Sequence, residues 1–359
     1  MKTPTLMIMA GGTGGHIMPG LAVAEVLSQK GWRIVWLGNP ERMEGRLVPE
    51  HGIELQALHF SGLRGKGMKA LLKLPLNLWR ACKEANQAFK KTQPDVVLGM
   101  GGYVSVPGGI VARLKGKPML IHEQNAVAGT ANKFLAKLAK QSLCGFPNAL
   151  KGAQLVGNPV RQAFLQQAST EQRLSSRTGP LRVMVVGGSL GAKALNDVMP
   201  QAMAALAPEQ RPLLTHQAGE QHIDNLKQSY QVRGVEANCM AFIKDMAQAM
   251  AQVDLIICRA GAMTVAEVAA LGVPALFVPL PGAIDDHQTA NARWLADAGA
   301  AKILKQSEFT PTNVSRFLQE CNRQTLIAMG TKARQMAVLN AAESIAARCA
   351  DYLGSTHET

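Results

Sequence analysis

The chain has 359 residues, 47% of them hydrophobic, which is too much for one ordinary core, suits two globular domains and excludes a disordered polymer. Lysine and arginine (38) outnumber aspartate and glutamate (25), and the net charge of +13 favours an anionic partner: nucleic acid, acidic lipid or a phosphorylated substrate. The six cysteines (Cys82, Cys144, Cys239, Cys258, Cys321, Cys349) form no CxxC pair, which argues against a zinc ribbon or dithiol motif and fits a reducing cytoplasm.

Lys2 followed by an uncharged stretch from Thr3 to Ala24 imitates a signal peptide, but five glycines and two prolines interrupt it. It reads as a first strand, Leu6–Ala10, running into the loop Gly11-Gly12-Thr13-Gly14-Gly15-His16 and then a helix. A strand, a glycine turn and a helix N-terminus form an anion site, because free amides and the helix dipole point at the ligand. Its plain alternative is a tight turn. His16 suits either a general base or a helix cap, and Pro19 suits a helix first turn.

Further predicted strands are Arg33–Leu37, Val96–Met100, Met119–His122 and Gln154–Val156, then Arg182–Val186, Leu213–Gln217, Asp254–Cys258 and Ala275–Val278. Helical patterns lie between them, including Leu21–Lys30, Asn196–Leu206 and Thr289–Ala298, and Thr331–Leu353 reads as one or two more. This alternation predicts an α/β fold with parallel sheets covered by helices. A boundary is expected after Gly157-Asn158-Pro159. No uncharged stretch supplies the roughly 20 apolar residues of a spanning helix.

Phe60 to Lys91 holds eight basic residues (Arg64, Lys66, Lys69, Lys73, Arg80, Lys83, Lys90, Lys91) against Glu84 alone. Leucines and Trp79 are interleaved, which suits an anionic membrane face; a solvated helix is the plain alternative. Few aromatic residues (4%) argue against nucleic-acid stacking. Gly99 to Gly109 is an amide-rich loop after a strand. His122-Glu123-Gln124-Asn125 begins like a zinc-protease helix, but Ala126 stands where the second histidine belongs, so no metal is expected.

The second glycine loop, Gly187-Gly188-Ser189-Leu190-Gly191-Ala192, follows the strand ending at Val186 and repeats the first. Neither following strand ends in the carboxylate a dinucleotide ribose needs, and neither loop carries Gly-Lys-Ser/Thr. After Cys258, the run Arg259 to Glu267 turns into a helix whose amides at Ala262 to Val265 suit a diphosphate, with Glu267 suited to ribose hydroxyls. Thr264-x-x-Glu267 also reads as a capping box. Asp285-Asp286-His287-Gln288-Thr289 opens another helix, with His287 and Gln288 suited to a sugar.

GGTGGHIMPG, SGLRGKG, VLGMGGYVSVPGG, HEQN, VGNPVR, VVGGSLGA, CRAGAMTVAE and HQTANA occur in one order. Together, from about residue 6 to residue 345, they resemble the MurG family, transferases that attach N-acetylglucosamine to the lipid-linked muramyl-pentapeptide precursor of bacterial peptidoglycan. The resemblance implies a GT-B fold: two Rossmann-like domains with parallel sheets facing a central cleft. The first is acceptor- and membrane-binding (residues 1–160, with a C-terminal helix of about 340–359 packing back on it), and the second binds the UDP-sugar (161–339). It implies inverting transfer from UDP-N-acetylglucosamine at the cytoplasmic face of the inner membrane, without cofactor or metal. Donor contacts fall on Thr13, Gly14, Gly15, Asn125, Arg161, Ser189, Ile243, Ala262, Met263, Thr264, Val265, Ala266, Glu267 and Gln288. His16 is the candidate base, Gly101, Gly102 and Tyr103 meet the acceptor, and Lys69, Lys73, Trp79 and Arg80 meet the membrane. Leu190 departs from the family's usual glutamine there. Another GT-B transferase, a UDP-sugar epimerase and a non-enzymatic membrane-binding protein remain as alternatives.

Overall fold

A computed structural model describes residues 3–60, 73–188, 191–283 and 286–353. The chain divides into two compact units, one running to Arg161 and resuming at Val338, the other spanning Gln162–Ala337.

The first unit is built on seven strands: β1 (Thr5–Ala10), β2 (Arg33–Gly38), β3 (Glu54–Ala57), β4 (Val96–Gly101), β5 (Met119–Glu123), β6 (Gln141–Cys144) and β7 (Gln154–Leu155). They lie in the order β3-β2-β1-β4-β5-β6-β7, every pair parallel. Central strands are apolar on both faces because helices cover both. Leu6 and Ile8 pack with the helix Gly14–Gln29 and with Ile345, Ala346 and Cys349 of the helix Ala341–Ala350. Met7 and Met9 point the other way, toward Ala81, Ala85 and Phe89 of the helix Leu74–Thr92. Alternate residues of one strand thus feed two cores.

The second unit carries β8 (Arg182–Val186), β9 (Leu213–Gln217), β10 (Asn238–Met240), β11 (Leu255–Cys258), β12 (Ala275–Phe277) and β13 (Lys302–Ile303). Their order is β10-β9-β8-β11-β12-β13, again all parallel. Val183 and Val185 pack against Leu195, Met199 and Met203 of the helix Lys193–Ala204.

In each sheet the strand order reverses beside the first strand, between β1 and β4 and between β8 and β11. Open parallel sheets bind ligands at such switch points, outside the carboxyl ends of the strands. The two glycine loops follow β1 and β8, so each lies at its unit's switch point.

Two expectations are corrected. The first helix begins at Gly14, not Leu21, which puts Pro19 inside it rather than in its first turn. The last helical stretch holds two helices, as one form of the expectation had it, but the first, Arg323–Met336, starts before Thr331; the second is Ala341–Ala350.

Candidate active site

The switch point of the first unit is assembled by close backbone approach. The register of β1 on β4 pairs Met9 with Gly99 and Ala10 with Gly101, leaving Met100 as the extra residue of a bulge. Bulges re-aim the chain, and here the strand runs into Gly101 (φ 104°) and Gly102 (φ 84°), backbone conformations that favour glycine. A Cβ on Gly102 would collide with the carbonyl of Gly11, so the two loops touch through bare backbone. Ser105 fastens the junction, its buried hydroxyl lying 2.9 Å from the carbonyls of both Met9 and Gly101. Tyr103, in the same loop, is exposed.

The first glycine loop is only partly open to an external anion. Glu44, fully buried, accepts hydrogen bonds from the amides of Gly12 and Asn39, each at 3.1 Å. The amides of Gly14 and Gly15 make no hydrogen bond among the described residues, and the helix has no acid in its first turn. Thr13 is its N-cap, but the hydroxyl makes no capping bond.

His16 is the third residue of that helix. Its Nδ1 lies 2.8 Å from Oε1 of Gln124. Gln124 follows β5, and its Nε2 lies 3.0 Å from both Nδ1 and the carbonyl oxygen of His122. His122 Nε2 in turn lies 2.9 Å from the carbonyl of Gly157. Burial pushes the His122 ring down to about 4, so it is neutral at ordinary pH. Glu123 organises the neighbouring turn, accepting from the amides of Asn125 (2.9 Å) and Gly129 (3.1 Å) and from Asn132 Nδ2 (2.9 Å). It thereby sets the half-buried Asn125 beside the same sheet edge. Arg161, also half-buried, closes the first segment of this unit.

In the second unit the helix Ala262–Leu271 follows β11 with Gly261 as its N-cap. The expected capping box is therefore absent: Thr264 sits inside the first turn. The expected run of open amides is also shorter by one, because Val265 donates to Gly261 O at 2.9 Å. The donors left are those of Ala262, Met263 and Thr264, while Ala266 and the half-buried Glu267 lie further along the helix. Arg259 bridges the ends of other elements, its Nη1 donating to Val278 O (2.9 Å) and its Nη2 to Gln306 Oε1 (2.6 Å).

The amides of Leu280 (3.0 Å) and Ala260 (3.3 Å) both donate to Oε1 of Gln288, which ties the loops after β11 and β12 together. Ile243 buries its side chain beside exposed Phe242. Ser189 and Leu190 lie outside the described residues, as does Lys69.

All four helices that follow switch-point strands lack a side-chain cap: the N-caps are Thr13, Val104, Ala192 and Gly261. None has an acid in its first turn. Elsewhere the pattern is mixed: Ser169, Asp245, Thr310 and Asn322 cap their helices, while the helices that begin at Leu74, Ile223 and Ala341 have no side-chain cap. The amides of Ser105 and Val106 donate to the carbonyls of Gly102 and Tyr103, so the open donors lie at the helices that begin at Gly14 and Ala262, where unsatisfied amides are held ready for an external anion.

On the helix Leu74–Thr92, Leu76, Trp79, Arg80 and Lys83 are exposed along one side, with Lys73 just before it. Lys83 Nζ sits 5.8 Å from the Trp79 ring centre.

Sequence reasoning did not assign Gln124, His122 or Glu44 a role at the His16 loop. Their partners are distant in sequence, and only the sheet order brings them together.

Comparison with known proteins covers both units. Residues 6–144 match the glycosyltransferase family 28 N-terminal domain and residues 182–348 the family 28 C-terminal domain. A Bordetella pertussis protein named UDP-N-acetylglucosamine--N-acetylmuramyl-(pentapeptide) pyrophosphoryl-undecaprenol N-acetylglucosamine transferase is 58% identical, over 97% of this chain and 98% of its own. A Burkholderia multivorans protein of the same name is 52% identical over 99% and 98%. The crystal structure of Acinetobacter baumannii MurG superposes with a TM-score of 0.84 at 42% identity, covering 97% of this chain and 99% of that one. With two parallel α/β units of the GT-B type and this likeness along its length, the chain belongs to glycosyltransferase family 28, among the MurG transferases.

Proposed function

We propose that this enzyme transfers N-acetylglucosamine from UDP-N-acetylglucosamine to the muramyl 4-hydroxyl of undecaprenyl-diphospho-N-acetylmuramoyl-pentapeptide, with inversion. The observation that carries the mechanism is the set of uncapped helix N-termini at both switch points, with His16 held at one of them. Identity above 50% to transferases of this name along nearly the whole chain supports the choice of substrates.

The second unit takes the donor. The amides of Ala262, Met263 and Thr264 receive the diphosphate, Glu267 accepts from the ribose hydroxyls, and Ile243 meets the uracil through its backbone. Gln288, whose Oε1 is already used, offers its Nε2 to the sugar. Ser189 of the second glycine loop completes the phosphate contacts.

The first unit takes the acceptor and the proton. Gly101, Gly102 and Tyr103 line the acceptor side, and Thr13, Gly14, Gly15, Asn125 and Arg161 add further contacts to the donor. The hydroxyl O–H bond breaks as the oxygen bonds to the anomeric carbon, and the proton passes to the His16 ring. The bond from that carbon to the β-phosphate oxygen breaks, and UDP leaves with the electron pair. Oriented amides at the departing diphosphate stabilise this charge; loss of one such donor typically costs about 10²–10³ in kcat.

The face carrying Lys73, Leu76, Trp79, Arg80 and Lys83 suits an anionic membrane surface, and a peripheral position on the inner membrane's cytoplasmic side follows from the lipid-linked acceptor. No helix among the described residues is long and apolar enough to cross a membrane. Incubation with UDP-N-acetylglucosamine, with and without the lipid-linked acceptor, tests the reading. UDP release only with acceptor supports it; equal release without acceptor overturns it.

A further inference from the structure

We propose that Gln124 and His122 are positioning residues that hold His16 in the tautomer with its proton on Nδ1, leaving Nε2 as the basic nitrogen. This rests on the assignment of His16 as the base and says which of its two nitrogens acts.

The carbonyl of Gly157 can only accept a hydrogen bond. His122 Nε2, 2.9 Å away, must therefore carry a proton. In a neutral imidazole the other nitrogen is then an acceptor, so His122 Nδ1 receives a hydrogen bond from Gln124 Nε2 at 3.0 Å. The second proton of that amide goes to the carbonyl of His122, also at 3.0 Å. Reversing the Gln124 amide would face its oxygen with two acceptors and lose both bonds. Gln124 and His122 are almost completely buried, so no solvent would replace those bonds. The orientation of Gln124 is thus fixed from two sides, and its Oε1 faces His16 Nδ1 at 2.8 Å.

An amide oxygen only accepts, so His16 Nδ1 donates and Nε2 keeps its lone pair. When Nε2 takes the acceptor's proton, the Nδ1–H···O bond becomes charge-assisted and strengthens. No proton moves along the relay, since a neutral amide supplies the orientation. The backbone around it is braced: Asn158 Nδ2 donates to Gln124 O at 2.9 Å, and Asn132 Nδ2 to His122 O at 3.1 Å.

The test reads the ring directly, by ¹⁵N NMR of the histidine-labelled full chain, with the His16 signals identified by their loss in His16→Gln. The expected spectrum has Nδ1 protonated and Nε2 bare. A bare Nδ1 with protonated Nε2 overturns the proposal whether or not the enzyme turns over, and an inactive protein with the expected tautomer counts against the functional reading instead. Gln124→Met is expected to move the tautomer toward Nε2–H and to lower kcat at least tenfold with KM for the UDP-sugar unchanged. Gln124→Glu, which keeps an acceptor at Oε1, is expected to retain the Nδ1–H tautomer. Wild-type kcat and an unchanged tautomer in Gln124→Met would also overturn the proposal.

Discussion

Gly101 leaves the space in which the His16 ring lies: a Cβ on Gly101 would sit 2.9 Å from His16 Nδ1 and 3.0 Å from Cε1. Its φ of 104° is also one that side chains rarely adopt. Gly101→Ala therefore displaces the ring and strains the backbone by about 1–3 kcal/mol. The expected outcome is a fall in kcat of at least tenfold, lower stability, and unchanged UDP affinity measured on the same sample. A kcat equal to wild type would show that the loop yields without moving His16.

Glu44 tests whether the first glycine loop is shaped from inside. Its buried carboxylate accepts from two amides, at Gly12 and Asn39. Glu44→Gln keeps the shape but offers a single acceptor oxygen, so one buried amide faces a donor. Such a loss costs about 1–3 kcal/mol. Urea denaturation is expected to show a lower midpoint by this amount, with kcat lowered as the loop loosens; an unchanged midpoint would contradict the inward-facing carboxylate.

Glu267 separates ligand contact from helix capping. Because Gly261 is the N-cap, replacing Glu267 removes no cap. Glu267→Ala is expected to weaken UDP binding about 10–100-fold, the range for hydrogen bonds to a charged group (about 1.5–3 kcal/mol). Calorimetry gives the affinity and thermal melting the stability. Normal affinity with a large loss of stability would return Glu267 to a structural role.

The exposed face of the helix Leu74–Thr92 offers a test with little risk to the fold, since Trp79 is 62% exposed. Each basic residue near an anionic bilayer contributes roughly 1 kcal/mol. Replacing Lys73, Arg80 and Lys83 by glutamine is therefore expected to lower binding to anionic vesicles by about two orders of magnitude, leaving transfer to a soluble acceptor analogue intact. Vesicle binding that ignores these changes would place the membrane face elsewhere.

His216 makes the second unit sensitive to acid. Its ring is buried between Tyr230 OH (2.8 Å from Nδ1) and Asn196 Oδ1 (3.1 Å from Nε2), and burial pushes it down to about 3. The folded value lies below the unfolded one of 6.5, so the unfolded state binds the proton first. Stability from this group is complete above pH 6.5 and declines toward pH 3 by about 1.4 kcal/mol per pH unit. His216→Gln should flatten that dependence in denaturation curves between pH 6.5 and 4, and an equally steep curve in the variant would assign it to other groups.

The strands at both sheet centres were legible because they are buried on two faces and read as unbroken apolar runs. Outer strands were less so: Glu54–Ala57, Asn238–Met240 and Lys302–Ile303 at sheet edges, and Gln141–Cys144 next to one, are short and partly exposed, so polar residues interrupt them, whereas the edge strand Gln154–Leu155 matches an expected one. Both glycine loops announced themselves by composition, but their occupants did not. The Glu44 carboxylate comes from 32 residues beyond Gly12, and Gln124 from 108 residues beyond His16. Such contacts follow from strand order, which local patterns do not encode. The misread capping box has a local cause: Thr264-x-x-Glu267 is a valid signal, but the chain already turns helical at Ala262 with glycine as the cap.

The most direct test of the account compares wild type with His16→Ala, measuring single-turnover transfer to the lipid-linked acceptor beside UDP affinity. A general base contributes roughly 10²–10⁴ to the rate. Transfer slowed by at least a hundredfold with unchanged UDP affinity is the predicted result; transfer at the wild-type rate, or a loss matched by an equal loss of UDP affinity, would contradict it.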